Sequence, residues 1–121
     1  MKLYNLARSG NCHKVRMLLA QLGVPHELVT VDLPSGESKS PAFLKLNPRG
    51  QIPVLEDAGE IIWDSQAILV YLARSVSSET WLPTAPLAMA RVMQWPRYRR
   101  MKFSMAWPAP ARRCTSRHLG M

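Results

Sequence analysis

The sequence has no long apolar run and little cysteine. No stretch of it approaches the roughly 18 apolar residues of a membrane-spanning helix, so we expect no membrane partner. Two cysteines, Cys12 and Cys114, provide no disulfide framework, and their scarcity fits a reducing compartment. Residues 1–6 turn polar too soon for a signal peptide, which makes a cytoplasmic protein the expectation.

Acidic residues are missing from the last part of the chain. The net charge is +8, but residues 1–95 hold nine Lys or Arg against all eight Asp or Glu. Residues 96–121 hold the other seven basic residues and no acid. The basic character therefore belongs to a tail rather than to the fold. Because that tail has no periodic basic face, we expect no nucleic-acid partner.

The first third of the sequence alternates between strand and helix patterns. Residues 2–6 and 27–33 have the short, alternating or β-branched character of strands. Between them lies an amphipathic helix, ended by Gly23, whose apolar residues recur at helical spacing: Val15, Leu18, Leu19 and Leu22. This β-α-β order predicts two parallel strands joined by a right-handed crossover.

The next residues predict further elements in a different order. These are a polar loop at 34–40, a short helix opened by Ser40-Pro41, a turn at 47–50, and strands at 52–55 and 60–63. Asp64 or Ser65 then caps a helix. Pro53 stands near the start of its strand, which suits a residue that cannot donate to a strand ladder. The chain up to residue 76 is therefore predicted to be β-α-β-α-β-β-α.

This order, with a proline introducing the third strand, resembles the plan of the thioredoxin fold, an α/β fold. In that fold the peptide bond before the proline is cis, an uncommon state that usually marks a tight turn with a purpose. The resemblance implies a cis bond between Ile52 and Pro53. It also implies that Ile52 offers its backbone N–H and C=O to a bound peptide, as an added strand would require.

Three segments narrow the resemblance to one family. They are LARSGNCHKVRMLLAQLGVPHELVTVDL, SPAFLKLNPRGQIPVLED and IIWDSQAILVYLA. Together they resemble the N-terminal domain of a cytosolic glutathione transferase of the bacterial serine/asparagine type, and WLPTAPLAMARVMQW resembles the start of that family's all-helical second domain. The resemblance implies a thioredoxin-like glutathione-binding domain at 1–76, a linker at 77–86, the start of a truncated helical domain at 87–95, and an aberrant basic tail at 96–121.

The resemblance implies glutathione, a tripeptide with two carboxylates, an amine and a thiol, as the substrate. The implied binding residues are Lys39, Gln51, Ile52, Pro53, Asp64 and Ser65. Asp64 and Ser65 suit the amine and one carboxylate, because a helix N-terminus attracts negative charge. Ile52 suits the cysteinyl backbone, and Lys39 with Gln51 suits the second carboxylate.

The thiol end of glutathione needs hydrogen-bond donors, because a free thiol is mostly protonated near neutral pH. A donor beside a helix N-terminus lowers the pKa of the thiol and favours the thiolate. By resemblance, Ser9 and Asn11 take this catalytic role. Cys12 is a rival, as the nucleophile of a thiol transferase, although no C-x-x-C motif accompanies it. His13 has no second metal ligand nearby in the sequence, so we expect no metal.

The expected activity is attack by glutathione thiolate on a small electrophile or a peroxide. Two alternatives stay open. One is a non-catalytic interaction module built on the thioredoxin fold, and the other is a thiol transferase acting through Cys12. In the family the second domain supplies most of the electrophile pocket and much of the homodimer interface, so the identity of the electrophile is not predicted.

The chain departs from the resemblance at Pro96, because a proline there denies a helix its next turn. Codons for residues 101–108, read in a shifted frame, allow the sequence Glu-(Val/Ile)-Gln-x-Gly-Leu-Ala. That sequence is similar to a stretch of the family's second domain. We therefore expect residues 96–121 to come from an out-of-frame reading. Glutathione binding would then be weak, and conjugation by this chain low or absent.

Overall fold

The computed structural model of the chain describes residues 1–76 and 81–94. Its elements, in order, are β1 (Lys2–Asn5), α1 (Gly10–Leu22), β2 (Glu27–Thr30), α2 (Pro41–Leu46), β3 (Val54–Asp57), β4 (Glu60–Trp63) and α3 (Ser65–Val76), with a short 3-10 helix at Glu37–Lys39 before α2. This order confirms the predicted sequence of strands and helices.

The four strands form one mixed sheet in the order β2-β1-β3-β4. β1 is parallel to β2 and antiparallel to β3, with Tyr4 opposite Val54. β3 and β4 form an antiparallel hairpin in which Val54 lies opposite Trp63. Ala58 and Gly59 turn this hairpin with positive φ angles of 49° and 84°. The parallel β-α-β unit followed by a hairpin confirms the thioredoxin-like α/β fold.

Local capping chemistry defines the two ends of α1. The Ser9 hydroxyl oxygen accepts the backbone N–H of Cys12 at 3.3 Å and so satisfies a donor that the first helical turn leaves without a partner. Gly23 ends the helix in the left-handed region, with φ of 65°, where a residue without Cβ is favoured. Both ends agree with the sequence-based prediction.

The core lies on both faces of the sheet, because successive side chains of a strand point to opposite sides. One face carries a cluster of aliphatic side chains from two strands, α1 and α3: Leu3, Val15, Leu19, Leu55, Ile68 and Leu72. The opposite face carries a smaller cluster of three buried residues, Val31, Phe43 and Val54, with α2 packed over it. We call these the α1/α3 face and the α2 face.

Two predicted strand boundaries were wrong. β3 begins at Val54 rather than Ile52 and continues to Asp57, because Pro53 has no N–H with which to join the ladder. β2 ends at Thr30 rather than Leu33. Its only neighbour, β1, ends at Asn5, and the N–H of Val31 makes the last bond to that strand, to the C=O of Asn5 at 2.9 Å.

The first compact unit of the chain runs from Met1 to Thr84, and a second begins at Ala85. Within the first, Arg74 donates to the C=O of Pro83 at 2.8 Å. In the second, residues 86–94 are helical, in agreement with the predicted helix start. Part of the predicted linker (77–80), Trp95 and the predicted basic tail lie outside the described residues, so the proposed four-part division of the chain stays a prediction.

Candidate functional site

One end of the sheet gathers most of the predicted site residues. β1, β2 and β4 all finish at this end, and β3 begins there, because β3 is the one strand that runs in the opposite direction. The N-termini of α1 and α3 follow directly after β1 and β4. We call this the site end of the sheet.

The strand register brings three distant segments side by side at the site end. Continuing the pairing of Tyr4 with Val54 by one residue sets Asn5 opposite Pro53. Continuing the pairing of Val54 with Trp63 sets Asp64 opposite Pro53 from the other side. The loop that leads to Ser9, the residues before β3 and the start of α3 are therefore neighbours, although they lie far apart in the sequence.

The Ile52–Pro53 peptide bond is cis, as the resemblance implied. Pro53 is buried and Ile52 is half-buried against the α2 face. Ile52 precedes β3, lies outside the strand pairings, and takes part in none of the backbone–backbone hydrogen bonds found outside the regular elements of the described residues. Its N–H and C=O are thus the backbone groups at the site end that the sheet does not use.

The predicted thiol-activating residues lie at the first turn of α1. The Ser9 hydroxyl accepts the N–H of Cys12, which leaves its own proton as a donor. Asn11 is exposed on the same turn. Cys12 is a free cysteine with 0% of its surface exposed, so its sulfur is not accessible to a substrate disulfide in this conformation. The structure thus favours a structural role for Cys12.

Asp64 is the residue that caps α3, which resolves the alternative left open by the sequence. Its Oδ1 accepts the N–H groups of Gln66 at 2.9 Å and Ala67 at 3.4 Å, and its φ is 76°. Ser65 follows as the first helical residue and is only 5% exposed. A buried hydroxyl and the N-terminus of a twelve-residue helix therefore lie together at the site end.

Lys39 and Gln51 flank the turn that precedes the cis-proline. The Lys39 ammonium donates to the C=O of Arg49 at 3.0 Å, and its side chain lies across Gly50. A Cβ at Gly50 would be 2.8 Å from the Lys39 nitrogen and 2.6 Å from the C=O of Ser38, so only glycine fits. Gln51 and Lys39 are both exposed beside this turn. They are the predicted site residues set farthest into solvent.

Asn47 is a buried polar residue whose role the sequence did not indicate. It is 1% exposed, its amide nitrogen donates to the C=O of Gln51 at 2.8 Å, and its oxygen accepts the N–H of Arg49 at 3.0 Å. These bonds hold the backbone directly before Ile52. The one available signal was its spacing, since Asn47 lies four residues after Phe43 on the apolar side of α2.

Arg16 is a second residue that the sequence did not indicate. Its guanidinium binds Asn5, Leu6 and Ala7 at the end of β1. No sequence signal announces these bonds, because two of the three partners are backbone oxygens.

Two tyrosines carry pKa values above the ordinary range, one on each face of the sheet. Burial, followed by the 3.0 Å hydrogen bond to Glu56, raises the pKa of Tyr4. For Tyr71 the 2.7 Å hydrogen bond to Asp57 is the main cause of a raised pKa. Both phenols lie away from the site end, and their effect is on stability.

Metal and membrane features were sought in the described parts of the chain. Within residues 1–76 and 81–94, no three His, Cys, Asp or Glu side chains come together in a way that would hold a metal ion. In the same two ranges, no helix combines the length and apolar character that crossing a membrane requires.

The strand order, the parallel β-α-β unit and the cis-proline before β3 define a thioredoxin-like domain. A family model described as "Glutathione S-transferase, N-terminal domain" matches residues 8–75, which is more than half of the chain. The chain therefore belongs to the glutathione S-transferase family.

Individual relatives agree with this assignment. The chain is 42% identical over 96 residues to Glutathione S-transferase 3 of Zea mays, in a match covering 78% of this chain and 43% of that protein. A crystal structure of a possible glutathione transferase from Rhodopseudomonas palustris is 41% identical, with a TM-score of 0.77, over 86% of this chain and 50% of that one. Human glutathione transferase theta-2, solved in complex with glutathione and an unknown ligand, is 34% identical with a TM-score of 0.74, over 83% and 42% of the two chains. The chain thus spans a little under half the length of the curated relative.

Proposed function

We propose that this chain binds glutathione at the site end of its sheet. The observation that carries the proposal is the meeting of the α1 N-terminus, the unused backbone groups of Ile52 and the α3 N-terminus at one end of the sheet. A tripeptide with a thiol, a backbone and a charged terminus has a matching partner at each of the three. The glutathione complex of the theta-2 relative supports the same ligand for this chain.

The backbone and the charged end of glutathione would be bound by groups on two elements. Ile52 would pair with the cysteinyl N–H and C=O, as an edge strand pairs with an extended peptide. Ser65 would donate its hydroxyl to a carboxylate that also lies at the positive end of the α3 dipole. Asp64 would bind the ammonium group. Lys39 and Gln51, exposed by the turn at residues 47–50, would meet the remaining carboxylate.

The thiol would lie at the first turn of α1. Ser9 would donate its remaining proton to the sulfur, and Asn11 would offer a side-chain amide from the next exposed position. These donors and the helix N-terminus would favour the thiolate by placing fixed dipoles where negative charge develops. No covalent intermediate with the protein is needed, because glutathione itself is the nucleophile.

In the full-length family this thiolate would attack a small electrophile or a peroxide, and we extend that activity to the gene from which this chain derives. The other features of the proposal are a homodimer in a full-length form, a cytoplasmic location, and no resident metal. Because the chain spans under half of its curated relative, we expect glutathione binding to persist while conjugation is low. The thiol transferase alternative is disfavoured by the complete burial of Cys12.

Titration calorimetry of the full 121-residue chain with glutathione tests the proposal. Ser65→Ala should weaken binding about tenfold or more, since it removes a hydrogen bond to a charged group. Ser75→Ala is the matched control, because Ser75 lies near the other end of α3, where its hydroxyl donates to the C=O of Tyr71 at 2.8 Å. Equal affinity in the Ser65 and Ser75 variants, or no binding by the wild type, would contradict the proposal.

A further inference from the structure

Arg16 joins α1 to the loop that carries Ser9. Its Nη1 donates to the side-chain oxygen of Asn5 and, at 3.2 Å, to the C=O of Leu6. Its Nη2 donates to the C=O of Ala7 at 3.0 Å. One guanidinium therefore holds three successive residues at the point where β1 ends and the loop begins.

The bond to Leu6 connects Arg16 to Ser9. The C=O of Leu6 also accepts the backbone N–H of Ser9 at 3.0 Å, so a single oxygen receives both donors. The Ser9 hydroxyl then accepts the N–H of Cys12. A continuous series of hydrogen bonds thus runs from Arg16 through Leu6 and Ser9 into the first turn of α1.

Asn5 anchors this series to the sheet. Its side chain is 95% buried, being only 5% exposed, and its C=O accepts the N–H of Val31 at 2.9 Å. Arg16 therefore connects the rigid end of β1 to a loop that would otherwise be held by one backbone hydrogen bond. The same buried asparagine oxygen would lose its charged donor if Arg16 were replaced.

Arginine suits this position because its planar fork reaches several oxygens at once, whereas a lysine offers its donors from a single point. Helical side chains lean toward the N-terminus, which carries Arg16 back from the second turn of α1 to the loop. Its oxygen partners are all uncharged, and the other nearby titratable group is His13, whose Nδ1 lies 3.5 Å from Nη2. The arrangement thus sets geometry and does not neutralise a carboxylate.

We propose that Arg16 is a positioning residue for Ser9: it fixes the turn from Leu6 to Ser9 so that the serine hydroxyl is held where it donates to the glutathione thiol. This inference rests on the proposed function and adds a residue outside the binding set. Both the N–H and the oxygen lone pair of Ser9 are occupied within the series, which leaves its O–H proton for the ligand. A loosened turn would remove that preorganised donor.

The test uses Arg16→Lys in the full chain, since lysine keeps the charge and a long stem but cannot span three oxygens. We expect native circular dichroism together with amide hydrogen exchange at Ser9 and Cys12 that is faster by about tenfold, as for a lost bond to a charged donor. With glutathione bound, the pH midpoint of thiol ionisation, followed by the ultraviolet absorbance of the thiolate, should rise toward that of free glutathione. Arg16→Gln should move both readouts further in the same direction.

Arg74→Lys is the matched control, because Arg74 also donates to a backbone oxygen, but from α3 to Pro83. It should leave the exchange at Ser9 and the thiol midpoint unchanged. Wild-type exchange and an unchanged midpoint in Arg16→Lys would overturn the inference. If the wild type bound no glutathione, the proposed function would fail on its own, and the exchange measurement would still decide whether Arg16 fixes the turn.

Discussion

The two faces of the sheet are held by different forces. On the α1/α3 face, six fully buried aliphatic side chains pack against one another. On the α2 face, three buried apolar residues share the work with polar groups, among them Asn47 and Ser38, which are 1% and 5% exposed. Apolar packing resists change through many small contacts, whereas the α2 face depends on a few directed bonds. The first face therefore governs stability, and the second governs the shape of the backbone before the cis-proline.

The largest expected effect follows from truncating the α1/α3 face. Leu55→Ala removes four heavy-atom-rich groups' worth of packing from a side chain that is 0% exposed, and the cavity left behind adds to the lost transfer free energy. We expect the free energy of unfolding to fall by about 2–5 kcal/mol, measured by urea denaturation.

Leu28→Ala is the control for this change. Leu28 is 47% exposed on the edge strand β2, so its truncation should cost less than about 0.5 kcal/mol. A similar loss in both variants would mean that burial on this face does not decide stability. At temperatures where Leu55→Ala remains folded, its affinity for glutathione should equal that of the wild type.

The intermediate effect comes from the α2 face. Asn47→Ala removes the partners of the Gln51 C=O and the Arg49 N–H in a buried setting, which should lower stability by about 1–3 kcal/mol. Unlike Leu55→Ala, it should also weaken glutathione binding in the folded protein, because it frees the backbone before Ile52. Calorimetry and denaturation on the same sample measure the two effects.

The matched control is Gln21→Ala, which removes an exposed amide from α1. It should change neither stability nor affinity. If Asn47→Ala lowered stability but left the affinity intact, the backbone before the cis-proline would be fixed by something other than Asn47, and the contrast between the two faces would lose its functional half.

The smallest expected effect appears at alkaline pH, where the two faces should behave alike. The raised pKa values of Tyr4 and Tyr71 mean that the folded protein holds each phenol proton more tightly than the unfolded chain does. Their stabilising contribution is fully present below the unfolded pKa of about 10 and is lost as the pH rises through the folded pKa. Tyr4→Phe and Tyr71→Phe should each flatten the alkaline loss of stability, measured by denaturation at about pH 9 and pH 11.

An unaltered alkaline slope in either phenylalanine variant would mean that the corresponding carboxylate bond, to Glu56 or to Asp57, does not persist in solution. A change in only one of the two variants would localise the alkaline sensitivity to one face of the sheet.

The elements that depend on local chemistry were predictable. Val15 and Leu19 repeat at helical spacing, Ser9 and Gly23 carry cap chemistry, and each of these roles is set by residues a few positions apart. The ends of β2 and β3 were not predictable in the same way, because a strand ends where its neighbour ends or where a proline interrupts the ladder. The neighbour is fixed by the whole sheet and not by the adjacent sequence.

The candidate site divides along the same line. The cis-proline and the cap at Asp64 follow from residue types that restrict the backbone, so the sequence indicated them. Arg16 and Asn47 were missed because their partners include the backbone oxygens of Leu6, Ala7 and Gln51, and every residue has such an oxygen. Residues that bind main-chain atoms can be assigned only when the path of the chain is known.

The pairing of Tyr4 with Val54 gives the site a link to the survival of the chain. The site end forms only when β1 meets β3, and the same contact completes the sheet. A ligand held there binds the folded chain alone, so by mass action it would stabilise the unit by about 2.7 kcal/mol at a hundredfold excess over its dissociation constant. Cellular glutathione would then act as a chemical chaperone, reducing the unfolded fraction on which proteases and aggregation draw.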